Sequence, residues 1–181
     1  MPAPAPALVT TRRGGGGRRA YTLVEMLIVV AMLGLAAAMV IPSMTSAGSL
    51  RIQGAVRSIV ADISVAQSDA VAFQARRAVV FGYNDDPSRY VVAEINAGEV
   101  DTDTGIIYDR SFGGEQFGFA TMTGTNLDDN TLYLDEMGGP IDGPTSDNPA
   151  PSQYVEISGS NQRFRINIEA YTGRVTVQRM Q

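Results

Sequence analysis

The side chains able to do chemistry are few, and of few kinds. The 181-residue chain has no histidine, cysteine or lysine, and all fourteen basic residues are arginine. Without cysteine there is no disulfide, no thiol nucleophile and no thiolate metal site. Without histidine the commonest general base is missing. What remains is carboxylate and guanidinium chemistry. Asp101 and Asp103 in "DTDTG" (101–105) resemble the start of a calcium loop. The twelfth position of such a loop would be Phe112, where a bidentate glutamate is required. Asp135 and Glu136 could be drawn as an acid–base pair, but nothing in the sequence orients them. Arg163, Arg165, Arg174 and Arg179 fall together near the C-terminus. Several arginines on one face would contact phosphates without reading base sequence. The chain's net charge of −5 weighs against that use, and an ion-paired sheet face is the plain alternative. The remaining chemically singular residue is Glu25, the one charge inside a long apolar run.

The elements that must position these residues follow from composition and period. Residues 1–20, "MPAPAPALVTTRRGGGGRRA", have no periodic apolar pattern and read as a disordered leader. Arg12, Arg13, Arg18 and Arg19 lie there with no acid. The rest of the chain carries ten arginines against nineteen acids. That asymmetry places the N-terminus on the cytoplasmic side of a membrane. From Tyr21 to Ile41 the only polar side chains are Tyr21, Thr22 and Glu25. As a helix this run would span ~32 Å, matching a ~30 Å hydrocarbon core. It is longer than the h-region of a secretory signal, roughly 7–15 residues, and carries Glu25 besides. Pro42 follows and predicts a kink in a helix extending to about residue 48; Gly34 is a second weak point.

Beyond it, Ile52, Val56, Ile59, Ile63, Ala66, Ala70 and Phe73 recur at alternating steps of four and three, a one-faced helical stripe. The spacing predicts an amphipathic helix over 49–76 that covers a sheet. Strand patterns then occupy 78–83, 89–95, 105–110, 117–123, 131–136, 154–158, 163–169 and 173–179. "RFRINIE" (163–169) alternates, with Phe164, Ile166 and Ile168 inward. "AYTGR" (170–174) predicts a hairpin turn with Gly173 at positive φ. "GGPIDGPTSDNPAPS" (138–152) reads as a long mobile loop. The fold class expected is α+β: a long N-terminal helix, membrane half then amphipathic half, on an antiparallel sheet domain spanning 49–181.

The stretch "RRAYTLVEMLIVVAMLG" (18–34) resembles the processing and assembly motif of type IV pilin-like proteins. In that family a basic leader ends in a small residue, usually glycine. An aromatic or apolar residue, then Thr-Leu-x-Glu, then an apolar helix follow. Here these are Ala20, Tyr21, Thr22-Leu23-Val24-Glu25 and Met26 to Ile41. Alanine at the position before the cut departs from the usual glycine. The resemblance implies cleavage between Ala20 and Tyr21 by a prepilin peptidase and N-methylation of Tyr21. It implies assembly through Thr22, Leu23, Glu25 and the bend at Pro42, with no cofactor and no catalysis. It also implies anchoring in the inner membrane with the C-terminal domain periplasmic. Partners would be other pilin-like subunits, an inner-membrane assembly platform and the lipid bilayer. The helix running into a strand over 52–83 and the hairpin 166–177 resemble H-type minor pseudopilins of type II secretion systems, and their FimT-like relatives among minor pilins. Three readings stay open: a secretion pseudopilus subunit, a minor pilin that binds DNA or a surface, and an unprocessed membrane-anchored β-domain.

Overall fold

A computed structural model describes residues 21–180, with backbone only for 39–47. The expected leader, Ala20 included, lies outside the described residues, as does the Pro42 side chain. The chain divides into two compact units, Met1–Ile41 and Pro42–Gln181.

One helix, α1, runs Leu23–Phe73. In the second unit its residues Ile52, Val56, Ile59, Ile63, Ala66 and Ala70 are buried, as the stripe requires, and Ala55 joins them. Phe73 does not: it is 69% exposed, because α1 ends there. Gln74 takes a left-handed φ of 49°, and the Ala75 N–H returns to the Ala70 carbonyl at 3.1 Å. That six-to-one bond closes the helix in a Schellman arrangement. The amphipathic helix thus ends three residues before the expected Arg76.

The strands are β1 (Arg77–Phe81), β2 (Arg89–Asn96), β3 (Glu99–Ser111), β4 (Thr121–Thr125), β5 (Thr131–Leu134), β6 (Pro140–Ile141), β7 (Gln153–Gly159), β8 (Gln162–Ile168) and β9 (Val175–Met180). They form two antiparallel sheets, ordered β3-β2-β1-β5-β6 and β4-β7-β8-β9. The α1 stripe meets both. Val79 and Phe81 of β1, Tyr90 and Val92 of β2, Leu132 and Leu134 of β5, Val155 and Ile157 of β7 and Phe164, Ile166 and Ile168 of β8 share one core with it. Burying each large side chain contributes about 1.5–3 kcal/mol. In β8 the alternation holds: Phe164, Ile166 and Ile168 are buried, and the residues between them are not.

Three local readings are corrected. The stretch 117–123 is not one strand. A 3-10 turn covers Glu115–Phe117, Gly118 and Phe119 have positive φ, and pairing begins at Thr121. The isolated pattern 105–110 belongs to a strand that begins at Glu99. The segment 138–152 contains β6 and an Ile141–Pro149 bridge. Ile141 packs with Ala78 and Tyr133 in a second cluster. β1 is therefore covered on both faces, which explains an unbroken apolar run where alternation would otherwise be expected.

Candidate processing and assembly site

The first residues of the apolar run have a defined local geometry. Tyr21 and Thr22 lie outside the helix, and Leu23 begins it. The Met26 N–H donates to the Thr22 carbonyl at 3.2 Å. The Glu25 N–H donates to the Thr22 hydroxyl oxygen at 3.1 Å. Thr22 is thus the N-cap and Glu25 stands at the third helical position. A cap of this kind satisfies one of the four N–H groups a helix leaves without partners. Glu25 is the acid of the first turn, where the positive end of the helix dipole favours an anion. The spacing Thr-x-x-Glu is the sequence signature of a capping box. It gives Thr22 a capping role beside the assembly role that the resemblance implies.

Behind the cap, the large apolar side chains from Leu23 to Leu35 are 47–77% exposed. They lie on every face of the helix, so no single partner face within the chain could cover them. A helix apolar all round is stable only when lipid or other helices surround it. Among the described residues no helix is long and apolar enough to cross a membrane. The described side chains stop at Ala38, short of the run's end at Ile41.

The other sequence candidates are placed as follows. Asp101 lies where β3 leaves its ladder: Glu94 pairs with Asp101 and Ala93 with Ile106, so the residues between bulge out. Its carboxylate closes that bulge, accepting from the Thr104 N–H at 2.8 Å, the Thr104 hydroxyl at 2.7 Å and the Asn96 amide at 3.1 Å. These donors, Thr104's backbone first, hold its carboxyl well below the usual range. The oxygens a cation would need are thereby engaged, and Asp103 is exposed beside them. Among the described residues no group of three or more His, Asp or Glu is placed to hold a metal. Asp135 and Glu136 diverge. Asp135 accepts from the N–H groups of Met137 and Gly139 in a turn, while Glu136 pairs with Arg76 Nε at 3.0 Å.

The four C-terminal arginines do not form one outward patch. Arg165 lies 2.6 Å from Glu156, with its guanidinium 4.4 Å above the Tyr154 ring. Arg174 lies 2.6 Å from Glu169. Arg179 is paired opposite Phe164 and shares that residue's face, whereas Arg163 is opposite Met180 on the other. Both still line an open cavity of about 970 Å³ beside the β7–β8 turn, where β9 ends.

Comparison with known proteins gives one motif match and one likeness of fold. The prokaryotic N-terminal methylation motif matches residues 16–41. No curated protein matches the chain. Two crystal structures of the Pseudomonas aeruginosa PAO1 type IV minor pilin FimU are similar in fold. One, in space group P21, gives a TM-score of 0.53 over 72% of this chain and 92% of its own. The other, in P65, gives 0.51 over 71% and 97%. Each is 14% identical to this chain, which makes the likeness one of fold. In its N-terminal motif and in its fold of one long helix on antiparallel sheets, the chain is type IV pilin-like.

Proposed function

We propose that the chain is a minor pseudopilin, a structural subunit of a type II secretion pseudopilus. One observation supports this most. The first part of α1, Leu23 to Leu35, is apolar on every side and carries a single carboxylate, Glu25, in its capped first turn. Hydrolysis of the Ala20–Tyr21 peptide bond would create an α-amine one turn away, and methylation leaves that amine cationic. Carboxylate and amine of neighbouring subunits then pair in an apolar filament core. Such a pair offsets much of the desolvation cost, whereas a subunit docked out of step leaves a bare charge in hydrocarbon. Glu25 thus sets register, and the exposed apolar side chains supply the adhesion. Before assembly, Tyr21 to Ile41 anchors the chain in the inner membrane with residues 49–181 in the periplasm. The prepilin peptidase, the assembly platform, other pilin-like subunits and the bilayer are the partners. The chain itself catalyses nothing.

A second reading is a minor type IV pilin that binds nucleic acid through Arg163 and Arg179, neither of which has an ion-pair partner among the described residues. Salt-dependent DNA binding, lost in Arg163→Ala/Arg179→Ala, would favour it.

Glu25→Ala tests assembly. The variant should be cleaved and remain in the membrane, yet be absent from sheared filaments that contain the wild type. Incorporation at wild-type levels would refute the register role.

A further inference from the structure

We propose that the outer edge of β9, with the cavity between it and α1, docks an extended acidic strand from a neighbouring pilin-like subunit. The source of that strand rests on the filament reading above. The chemistry of the edge does not.

Of the strands at the sheet edges, β3, β6, β4 and β9, only β9 is both long and regular. β6 has two residues, and β3 and β4 shift register along their ladders. Short strands and bulges blunt an edge against further pairing. β9 pairs with β8 over all six of its residues without a shift. The Glu169 N–H donates to the Arg174 carbonyl, which sets the alternation of the ladder that follows. Val175, Val177 and Arg179 then turn their N–H and C=O groups away from β8, toward the open side. No loop main chain among the described residues bonds to β9.

The same three residues lie on the core face, opposite Ile168, Ile166 and Phe164. Yet Val177 is 47% exposed, while Ile166 opposite it is fully buried. The core is therefore left open along this edge. The opening is an apolar cavity of about 270 Å³, lined by Gln53, Val56 and Arg57 of α1, Phe164 of β8 and Val177. Arg57 stands on its α1 wall, and Arg179 follows Val177 on the same face. Neither arginine has an ion-pair partner among the described residues, in a chain of net charge −5. An added strand would gain main-chain bonds from three residues and seat an apolar side chain in the cavity. Side chains two positions along share its face, so carboxylates there would meet the arginines. Two copies joined β9 to β9 would instead bring their own arginines together, a like-charge contact that disfavours self-pairing. Phosphates would meet the arginines but use neither the open ladder nor the cavity.

Full chain in detergent micelles, titrated with a short capped peptide, tests the inference. The peptide has valine at its centre, glutamate two positions to either side and threonine elsewhere; a counterpart carries lysine for glutamate. The expected result is slowed amide exchange at Val175, Val177 and Arg179 with the glutamate peptide, and no change with the lysine one. Arg57→Glu with Arg179→Glu should weaken the glutamate peptide about tenfold and admit the lysine peptide. Val177→Pro removes an outward N–H and leaves the bonds to β8, so it should abolish binding with the near-UV dichroism unchanged. Equal binding of the two peptides, protection at other amides only, or full binding by the Val177→Pro variant would overturn the inference. So would salt-dependent binding of an oligonucleotide by a chain that takes no peptide, which would assign the arginines to nucleic acid. A photocrosslinking side chain in place of Gln178, in sheared filaments, identifies the source. Adducts with another pilin-like subunit support the inference, and adducts between copies of this chain alone would overturn its choice of partner. The peptide titration reads the edge whether or not the chain enters a filament, so failure of the filament reading is a separate result.

Discussion

Arg77 offers the sharpest test of how the second unit is held together. It is the first residue of β1, and its side chain is 4% exposed. Its Nε donates to Asp69 Oδ2 at 2.5 Å, Nη1 donates to the Arg76 carbonyl at 3.1 Å, and Nη2 lies 3.5 Å from Glu94. The group ties the last turns of α1 to the start of β1 and to β2. Asp69→Asn keeps the size and removes the charge, leaving a buried cation with one distant, half-exposed partner. Breaking a buried pair costs about 3–5 kcal/mol, and partial exposure of Asp69 and the remaining Glu94 reduce this to ~2–3 kcal/mol. For a unit of this size that is a fall in Tm of roughly 5–10 °C. Replacing both partners, Asp69→Asn with Arg77→Met, should be milder than Asp69→Asn alone, since no charge is left buried. Near-UV dichroism of the full chain in detergent micelles, followed against temperature, reads both values. A shift below about 2 °C for Asp69→Asn, or a double variant less stable than the single, would refute the reasoning.

Gln67 joins two turns, its amide donating to the Gly138 carbonyl at 3.2 Å and the Gly173 carbonyl at 2.8 Å. Gln67→Ala should cost about 1–2 kcal/mol, and amide exchange should quicken in the turns at 135–139 and 170–173. Asp101 has a folded pKa depressed by Thr104 and Asn96, so its stabilisation is present above the unfolded value of about 3.9 and lost as pH falls below it. The Tm difference between wild type and Asp101→Asn should therefore shrink between pH 6 and pH 2.5, and a constant difference would contradict the assignment.

What could be read in advance was whatever has a period or a fixed spacing. The stripe from Ile52 to Ala70 and the alternation of β8 each report a face that must be buried, and both stand in the structure. Phe73 continued the period but is the last helical residue, just before Gln74 turns the backbone, and a period alone does not mark that end. The segment 138–152 looked like a loop because glycine and proline dominate it. Its two paired residues, Pro140 and Ile141, and the Pro144 and Ser146 carbonyls that accept from Arg76 Nη1 are long-range facts with no local signature. The same holds for Asp69 with Arg77. The C-terminal arginines are close in sequence, but strand register sends Arg163 and Arg179 to opposite faces. Thr22 was different: the Thr-x-x-Glu spacing was visible, and its capping meaning was hidden behind a reading of those residues as an assembly motif.

The central claim is that the apolar helix becomes an assembly surface when the chain is cut before Tyr21. Mass spectrometry of the N-terminal peptide, from protein extracted out of membranes that contain an active prepilin peptidase, tests it directly. The account predicts a mature chain beginning at Tyr21 and bearing one methyl group on its α-amine. A chain that retains residues 1–20 under those conditions would contradict it and favour a membrane-anchored domain that is never processed.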